Sequence, residues 1–199
     1  MVDRSKRQRL EDAAAQLFWI KGYAATSIAD LAHEAAVPIG NVYYYFKSKA
    51  ALADTVAAMF VAGSQAAIDH IEQEIPATGQ ASAQIGIQRI TAFFAMLEKS
   101  HQSRAHSGCP IARSISDFRR PAPQAANVAG QALTILTAFL GRELNRAGHP
   151  NGMAAAQQSI ALWQGAIVLA HGADDFQILR RLCAEQHALL QRDIASHSM

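Results

Sequence analysis

Polar side chains crowd a short segment near the N-terminus, residues 38–49, whose sequence is PIGNVYYYFKSK. Asn41, Tyr43 and Tyr45 carry amide or phenol groups that can hydrogen-bond a phosphate oxygen or the edge of a base. Two lysines follow them and add positive charge. The segment therefore predicts a short helix that contacts a nucleic-acid duplex.

A helix before this segment and a tight turn would hold it in place. Ser27 followed by Asp30 resembles a capping box, with Asp where Glu is usual, and predicts that the earlier helix begins there. Ala-Val-Pro at 36–38 predicts the turn, since proline is tolerated in the first turn of a helix. The pattern is that of a helix-turn-helix, with helices over 27–35 and 38–45.

A scaffold helix is predicted over residues 4–21. Gly22 can take the left-handed conformation that ends such a helix, and Tyr23 is expected to pack back onto a three-helix core. The apolar residues of the scaffold recur at spacings of three and four and form its buried stripe: Leu10, Ala14, Leu17 and Phe18.

The predicted helix 38–45 is too short to bury all its large side chains. Val42 and Phe46 lie four residues apart and are expected to be buried. Among the three tyrosines, we expect Tyr44 to be the half-buried packing residue. The other large side chains then need a partner surface.

Excess positive charge lies at the N-terminal end of the chain, although the formal net charge is only +2. Residues 1–50 carry seven Lys/Arg against five Asp/Glu, whereas residues 51–199 carry eleven of each. Basic groups that bracket the motif can neutralise phosphates and release counterions. An ordinary solvated helix start is the alternative for the basic cluster Arg4, Lys6, Arg7 and Arg9.

Composition limits the class of protein. A chain of 199 residues, half of them hydrophobic, can form one or two domains with a substantial core. We expect no membrane partner, because no apolar run approaches the roughly 18 residues that cross a bilayer and no signal peptide is evident. With only Cys109 and Cys183, the chain is expected to be cytoplasmic.

Apolar spacings of three and four continue through the rest of the chain, and no long stretch alternates with period two. The predicted fold class is all-α, with a helix-turn-helix DNA-binding domain at 1–48 and a helical ligand-binding and dimerisation domain at 49–199. Breaks where Gly, Pro and Ser cluster, at 76–79, 100–110, 120–123 and 148–152, leave about nine helices. These are 4–21, 27–35, 38–45, 48–74, 81–100, 110–118, 123–147, 153–172 and 175–195.

Residues 4–55 together resemble the DNA-binding domain of the TetR/AcrR family of transcriptional regulators. The matching motifs are Gly-Tyr at 22–23, Thr-Ser-Ile-Ala-Asp-Leu-Ala at 26–32, Glu-Ala-Ala-Val at 34–37 and Gly-Asn-Val-Tyr-Tyr-Tyr-Phe-Lys-Ser-Lys-Ala-Ala-Leu at 40–52. The resemblance implies a homodimer whose third helices enter successive major grooves of a palindromic double-stranded DNA operator. It also implies repression that a small-molecule effector relieves.

The family pattern implies a set of DNA-binding residues. Asn41, Tyr43 and Tyr45 would contact phosphates or bases, and Lys49 would contact the DNA backbone. The hydroxyls of Thr26 and Ser27, at a helix N-terminus, are expected to touch a phosphate. Base-reading positions would be occupied by side chains with few polar groups, so recognition would depend on apolar contacts and DNA shape. They are Ala29, Ile39 and Gly40.

Residues 56–199 resemble the family in architecture only. An aromatic and aliphatic stripe there could enclose a pocket for an apolar or aromatic effector, although such a stripe is more often plain core. The predicted ligand-binding residues are Phe94, Leu97, Cys109, Ile115, Phe139 and Trp163. The helices 153–172 and 175–195 are predicted to form the dimer interface, with a monomeric bundle core as the alternative. Its predicted residues are Leu162, Gly165, Ala166, Leu169, Leu182 and Leu189.

Cys109 could be more than a pocket residue. Pro110 fits the first position of a helix, which puts Cys109 at the N-cap, and Arg104, His106 and Arg113 lie near it in sequence. These features favour a thiolate. The Gly-Cys pair also resembles a branch of the same family that senses electrophiles or oxidants, so a redox-sensing repressor is the alternative function.

Enzymatic and metal functions have weaker support. Cys109 with His106 could act as nucleophile and base in a thiol-dependent helical enzyme. However, no third orienting group, oxyanion motif or Gly-rich phosphate loop accompanies them. The spacing of His and Cys residues is irregular, so no metal site and no cofactor are expected. A helical adaptor for proteins would not need basic residues around a Tyr-rich helix.

Overall fold

The computed structural model describes residues 5–78 and 81–197, and in these ranges all regular secondary structure is helical. The all-α fold class is therefore confirmed. Arg4 and Gly79, which belong to the predictions above, lie outside the described residues. Ten helices follow one another along the described ranges: α1 (Lys6–Ile20), α2 (Ile28–Glu34), α3 (Ile39–Tyr45), α4 (Lys49–Glu74), α5 (Ser82–Glu98), α6 (His101–Ser107), α7 (Pro110–Phe118), α8 (Pro123–Arg146), α9 (Gly152–Ala173) and α10 (Phe176–His197).

Helix α6 corrects the predicted break over 100–110, and it brings the described residues to ten helices where about nine were predicted. Its sequence, HQSRAHS, is polar and has no apolar stripe. It buries His101 and Ala105, which lie four residues apart on one face. A search for apolar periodicity misses such a helix because one of its two buried residues is a histidine.

The described chain divides into two compact units. The first takes in the described residues of 1–62 together with 109–132, and the second takes in those of 63–108 and 133–199. The domain boundary expected after residue 48 stays a prediction. The first unit continues beyond it because Leu52 and Val56 belong to the same buried cluster as the three N-terminal helices.

Three aromatic rings meet in the core of the first unit. The ring centroids of Phe18 and Tyr23 are 5.2 Å apart, and the Phe118 ring lies 5.7 Å and 5.4 Å from them. Tyr23 is thus a packing residue, as expected, and burial raises the pKa of its phenol. Burying each large ring contributes about 1.5–3 kcal/mol, so this cluster ties α1 firmly to α7.

A buried carboxylate organises part of the second unit. Glu143 of α8 is 0% exposed and accepts hydrogen bonds from Arg142 Nε at 2.8 Å and Arg89 Nη1 at 3.4 Å. Arg146 Nε lies 3.0 Å from its other oxygen, as an ion pair without hydrogen-bond geometry. Arg89 is 5% exposed and also donates to the Ile75 carbonyl at 2.9 Å. This group of buried charges has no signal in the sequence pattern.

Helix α4 has the length and composition of a membrane-spanning helix, with a mean hydropathy of 1.4. The expectation that no apolar stretch approaches the length needed to cross a bilayer is therefore wrong for α4. The finding is weak evidence for a membrane, because the core helix of a globular protein passes the same test. Buried residues on α4 include Leu52, Val56, Ile68 and Ile71.

Candidate nucleic-acid interface

A capping box begins α2, as the sequence predicts. The Ser27 hydroxyl accepts a hydrogen bond from Asp30 N at 3.1 Å and donates to Asp30 Oδ2 at 2.6 Å, while Ser27 N donates to the same carboxylate at 2.8 Å. These bonds satisfy backbone donors that the helix itself leaves free. They fix the residue at which α2 begins.

The capping box makes a prediction for stability at low pH. Hydrogen bonds from the side chain and backbone of Ser27 lower the pKa of Asp30 below its ordinary value of 3.8. A carboxyl with a lowered pKa stabilises the fold above its unfolded pKa, and this contribution is lost as the pH falls through the folded pKa. In urea unfolding, Asp30→Asn should therefore be less stable than wild type near pH 7, and the gap should close below pH ~3.8. Asp69→Asn, on exposed α4 surface, removes the same charge without touching the box. A gap that persists at low pH would contradict this account.

The turn between α2 and α3 has a left-handed residue at its centre. Ala36 has a φ of 50°, and Val37 N donates to the Ala32 carbonyl at 3.0 Å. Pro38 is the N-cap of α3, so α3 begins one residue later than predicted. Proline suits this place because its missing N–H would have no partner in the helix. The turn fixes the angle at which α3 leaves α2.

Helix α3 presents one broad exposed face. Val42 and Phe46 are 0% and 5% exposed, which confirms their predicted burial. On the other side, Ile39 is 51% and Tyr43 is 59% exposed. Gly40 lies between them, and a Cβ atom there would meet nothing within 4 Å. Packing within the chain therefore does not require glycine at this position. A partner whose backbone approaches α3 closely would require it, because a Cβ atom would then be in the way.

The tyrosines correct one prediction. Tyr44 is 81% exposed, whereas Tyr45 is the half-buried tyrosine that packs against the core, with their ring centroids 4.9 Å apart. Tyr45 lies three residues from Val42 and therefore shares its side of the helix. This spacing could have identified the packing residue from the sequence. Tyr44 joins Tyr43 on the exposed face.

The remaining predicted contact residues differ in accessibility. Ala29 and Ser27 are exposed, and Asn41 is half-buried at the margin of the α3 face. Thr26 is a correction, because it is 1% exposed and its hydroxyl donates to the Gly22 carbonyl at 2.8 Å. A side chain so buried has no hydroxyl available for a phosphate.

Lys49 is engaged inside the first unit. Its ammonium donates to the carbonyls of Tyr23 at 2.8 Å and Thr26 at 3.0 Å, and it lies 4.3 Å from the centre of the Tyr23 ring. Two of its three N–H groups are thereby used. Lys49 ties the loop before α2 to the start of α4, and its contact with the DNA backbone stays a prediction.

The basic residues at the start of α1 reach α3. The Arg7 guanidinium lies 5.4 Å from the centre of the Phe46 ring and pairs with Glu11 at 2.9 Å. Lys6 and Lys47 are exposed. Surface pairs contribute little and exchange readily, so Arg7 can neutralise a phosphate beside α3 as well. Arg7 and Lys47 thus place positive charge at the C-terminal end of α3.

The predicted ligand residues fall in both units. Leu97, Phe139 and Trp163, in the second unit, are buried, and Phe94 lines a cleft between α5 and α10. The Arg104 guanidinium lies 4.7 Å from the centre of the Trp163 ring. Ile115 packs on the core of the first unit. Which of these residues bind an effector stays a prediction.

Cys109 is the N-cap of α7, as predicted, and is 6% exposed. The preceding Gly108 has a φ of 75°, a left-handed conformation that glycine adopts without strain. Neither cysteine forms a disulfide. Within the described residues, no group of three or more His, Cys, Asp or Glu side chains is placed to hold a metal ion.

The predicted dimer residues differ in how exposed they are. Leu169 and Leu189 are 59% and 44% exposed, Gly165 is exposed, and Leu162 and Leu182 are half-buried. Ala166 is 2% exposed and packs inside its own chain, so it is not available to a partner. Val168, which the prediction omitted, is 70% exposed. Val168 directly precedes Leu169 in the sequence, and the predicted dimer role of Leu169 was the signal that could have drawn attention to it.

Comparison with known proteins agrees with this geometry. The family of bacterial regulatory proteins named tetR matches residues 10–56, from within α1 to the first turns of α4. This N-terminal segment belongs to the tetR family. The predicted family and function class, a DNA-binding transcriptional regulator, are thereby confirmed.

Similarity to other proteins extends beyond this N-terminal segment. An uncharacterised HTH-type transcriptional regulator of Lactococcus lactis is 25% identical over 190 residues, which cover 88% of each chain. A crystal structure of a TetR regulator from Legionella pneumophila has a TM-score of 0.77 at 23% identity and covers 95% of this chain and 99% of that one. A tetR-like regulator from Streptomyces avermitilis has a TM-score of 0.71 at 25% identity, covering 98% and 100%. The fold is thus shared well beyond the matched N-terminal segment.

Proposed function

We propose that this TetR-family protein is a cytoplasmic repressor that binds a palindromic operator as a homodimer and releases it when a small apolar or aromatic effector binds. The exposed face of α3 carries the DNA-binding part of this proposal. Tyr43 and Tyr44 hold phenol groups in solvent there, beside Gly40, and basic residues border them. Large exposed aromatic residues on a seven-residue helix indicate a partner surface.

The dimer is supported by the exposed surface of α9 and α10. Val168 and Leu169 form an apolar patch on α9, and Leu189 is exposed on α10. Two recognition helices must lie about 34–36 Å apart to reach successive major grooves, which requires two copies of the chain. A second copy of the chain that packs on this patch would cover its exposed apolar side chains and would supply the second recognition helix.

Effector action follows as a two-state equilibrium. An effector that binds one arrangement of the ligand-binding helices more tightly shifts the population towards it. If that arrangement changes the separation of the two α3 helices, both cannot dock at once, and the operator is released. Helix α4 contributes to both compact units and is the candidate for carrying this change.

Two measurements test this function together. DNA fragments captured by the purified protein are sequenced, and binding to the enriched sequence is followed as salt increases. A palindromic site and a steep loss of affinity with salt are expected, since phosphate contacts release counterions. No enrichment, or affinity insensitive to salt, would contradict operator binding.

The oligomeric state is tested separately by analytical ultracentrifugation. Leu169→Glu should convert the dimer to a monomer and weaken operator binding, because it places a charge in an apolar interface. Gln84→Glu, at an exposed position of α5, is the matched control and should stay dimeric. A wild-type protein that is monomeric at micromolar concentration would overturn the dimer.

A thiol-based signal is the second candidate, and the placement of Cys109 at the N-cap of α7 favours it. Burial raises the pKa of Cys183 to about 11, so Cys183 is a slow internal reference. Mass spectrometry after brief alkylation should then show modification at Cys109 first. Equal slow reaction at both cysteines would end the sensor hypothesis.

A further inference from the structure

A cleft of about 370 Å³ opens in the second unit between α5, the start of α6 and α10. Phe94, His101, Cys183 and His187 line it. Its volume lies in the range of small-molecule sites, about 300–1,000 Å³. The α10 residues that line it recur at spacings of three and four, which is a different face from that of Leu189. A dimer formed through Leu189 would leave this face open.

His101 is the polar floor of the cleft. It is 4% exposed, and neither ring nitrogen has a hydrogen-bond partner among the described residues. A buried polar group without a partner costs free energy and is uncommon in folded proteins. Burial also lowers the pKa of His101, so its ring is neutral near pH 7. A neutral imidazole offers one N–H donor and one nitrogen acceptor to a ligand.

The wall beside it is flat and uncharged. The rings of Phe94 and His187 are stacked, with centroids 4.7 Å apart and an interplanar angle of 7°. Burial lowers the pKa of His187, whose Nε2 lies 3.2 Å from the donor amide Nε2 of Gln191. Cys183 is 5% exposed, and burial raises its pKa to about 11, so the thiol is also uncharged.

Charges occur only at the rim. Arg180 Nε lies 3.4 Å from Glu98 Oε1, and both side chains are more than half exposed. Because the two opposite charges are paired, the rim offers little to a cation or to an anion. A carboxylate inside the cleft would face a neutral imidazole and the nearby Glu98, whereas a pure hydrocarbon would leave both His101 nitrogens without partners.

We propose that this cleft binds a small uncharged hydroxyl-bearing aromatic molecule, of which phenol is the simplest case. Its ring packs along the Phe94 and His187 pair, and its hydroxyl meets His101. A hydroxyl can donate or accept, so it pairs with either ring nitrogen in either tautomer. The proposal that the cleft binds such a molecule does not depend on the proposed function. Its identification as the effector site does rest on the proposed function.

The binding experiment uses fluorine NMR titration of the full chain with three matched probes. 4-Fluorophenol is expected to bind. Fluorobenzene, which lacks the hydroxyl, should bind about tenfold more weakly, which is the effect of one lost hydrogen bond. 4-Fluorobenzoate, which carries a charge, should bind more weakly still.

Three variants locate the site. His101→Phe should lose about tenfold in affinity for 4-fluorophenol and lose its preference over fluorobenzene. Ala184→Phe fills the cleft from an exposed position, so it avoids any folding defect of the first variant, and it should abolish binding of all three probes. Ala83→Phe, on exposed α5 surface outside the lining, should bind like wild type.

Absence of 4-fluorophenol binding, or unchanged binding to Ala184→Phe, would overturn the site. Equal affinity for fluorobenzene would overturn the role of His101, and tighter binding of 4-fluorobenzoate would overturn the preference for uncharged ligands. Operator release is measured separately, by fluorescence anisotropy on the captured DNA. Probe binding without release keeps the site and overturns only its identification as the effector site. Failure to bind any DNA counts against the proposed function alone.

Discussion

Replacing Glu143 with alanine is expected to lower the free energy of unfolding by about 3–5 kcal/mol, because the buried Arg89 charge is then left with the partly exposed Glu72 carboxylate, 3.9 Å away. Glu143 is 0% exposed, and Arg89, at 5% exposed, lies 3.4 Å from its carboxylate. Removing one partner of a buried pair leaves the full desolvation cost of the other. Urea unfolding followed by circular dichroism measures the change.

Two further variants separate buried charge from charge in general. The Glu72 carboxylate is 35% exposed and contacts both Arg142 and, at 3.9 Å, Arg89, so Glu72→Ala removes a more exposed charge from the same arginines and should cost no more than about 1 kcal/mol. The double variant Arg89→Met with Glu143→Leu should recover most of the loss, since apolar replacement of a buried pair is often neutral or stabilising. A single Glu143→Ala variant as stable as Glu72→Ala would show that the buried pair has no special importance.

Removing one hydroxyl from α3 should produce the largest effect on DNA affinity. Tyr43 is 59% exposed, so Tyr43→Phe should leave the fold stable within about 0.5 kcal/mol. Each lost hydrogen bond to a phosphate or base costs about 1–1.5 kcal/mol, and a dimer loses two. The expected weakening of operator binding is therefore about 30–150-fold, measured by fluorescence anisotropy at fixed salt.

The matched control makes the same chemical change at a buried position. Tyr23 is 8% exposed and its ring packs against those of Phe18 and Phe118, so it belongs to the core and not to the exposed face. Tyr23→Phe should bind the operator like wild type. If Tyr43→Phe also binds like wild type while Tyr44→Phe does not, the contact belongs to the tyrosine that the sequence had assigned to packing.

Local chemistry explains which parts could be predicted from the sequence. The capping box of Ser27 and Asp30, the left-handed Gly22 and the burial of Val42 and Phe46 depend on residues within a few positions of one another. Hydrogen bonds and helical spacing over such short distances leave few alternatives. The motif built from them was specific enough to identify the family.

Other errors arose where the burial of a side chain depends on the rest of the fold or where polar groups form the core. Thr26 was expected to touch a phosphate, but its side chain is 1% exposed and its hydroxyl donates to the Gly22 carbonyl. Ala166 was expected at a dimer surface, but it is buried within its own chain. Neither outcome follows from local spacing, since both depend on which side of a helix the rest of the fold covers.

The amino-acid order alone determined the helical class, the helix-turn-helix and the charge around it, because these follow from short-range hydrogen bonds and apolar periodicity. Only the tertiary structure decided that Glu143 meets Arg89, 54 residues away, and that His101 forms the floor of a cleft with α10. Buried polar groups carry no periodic signal, and their partners are chosen by packing between helices that are distant along the chain.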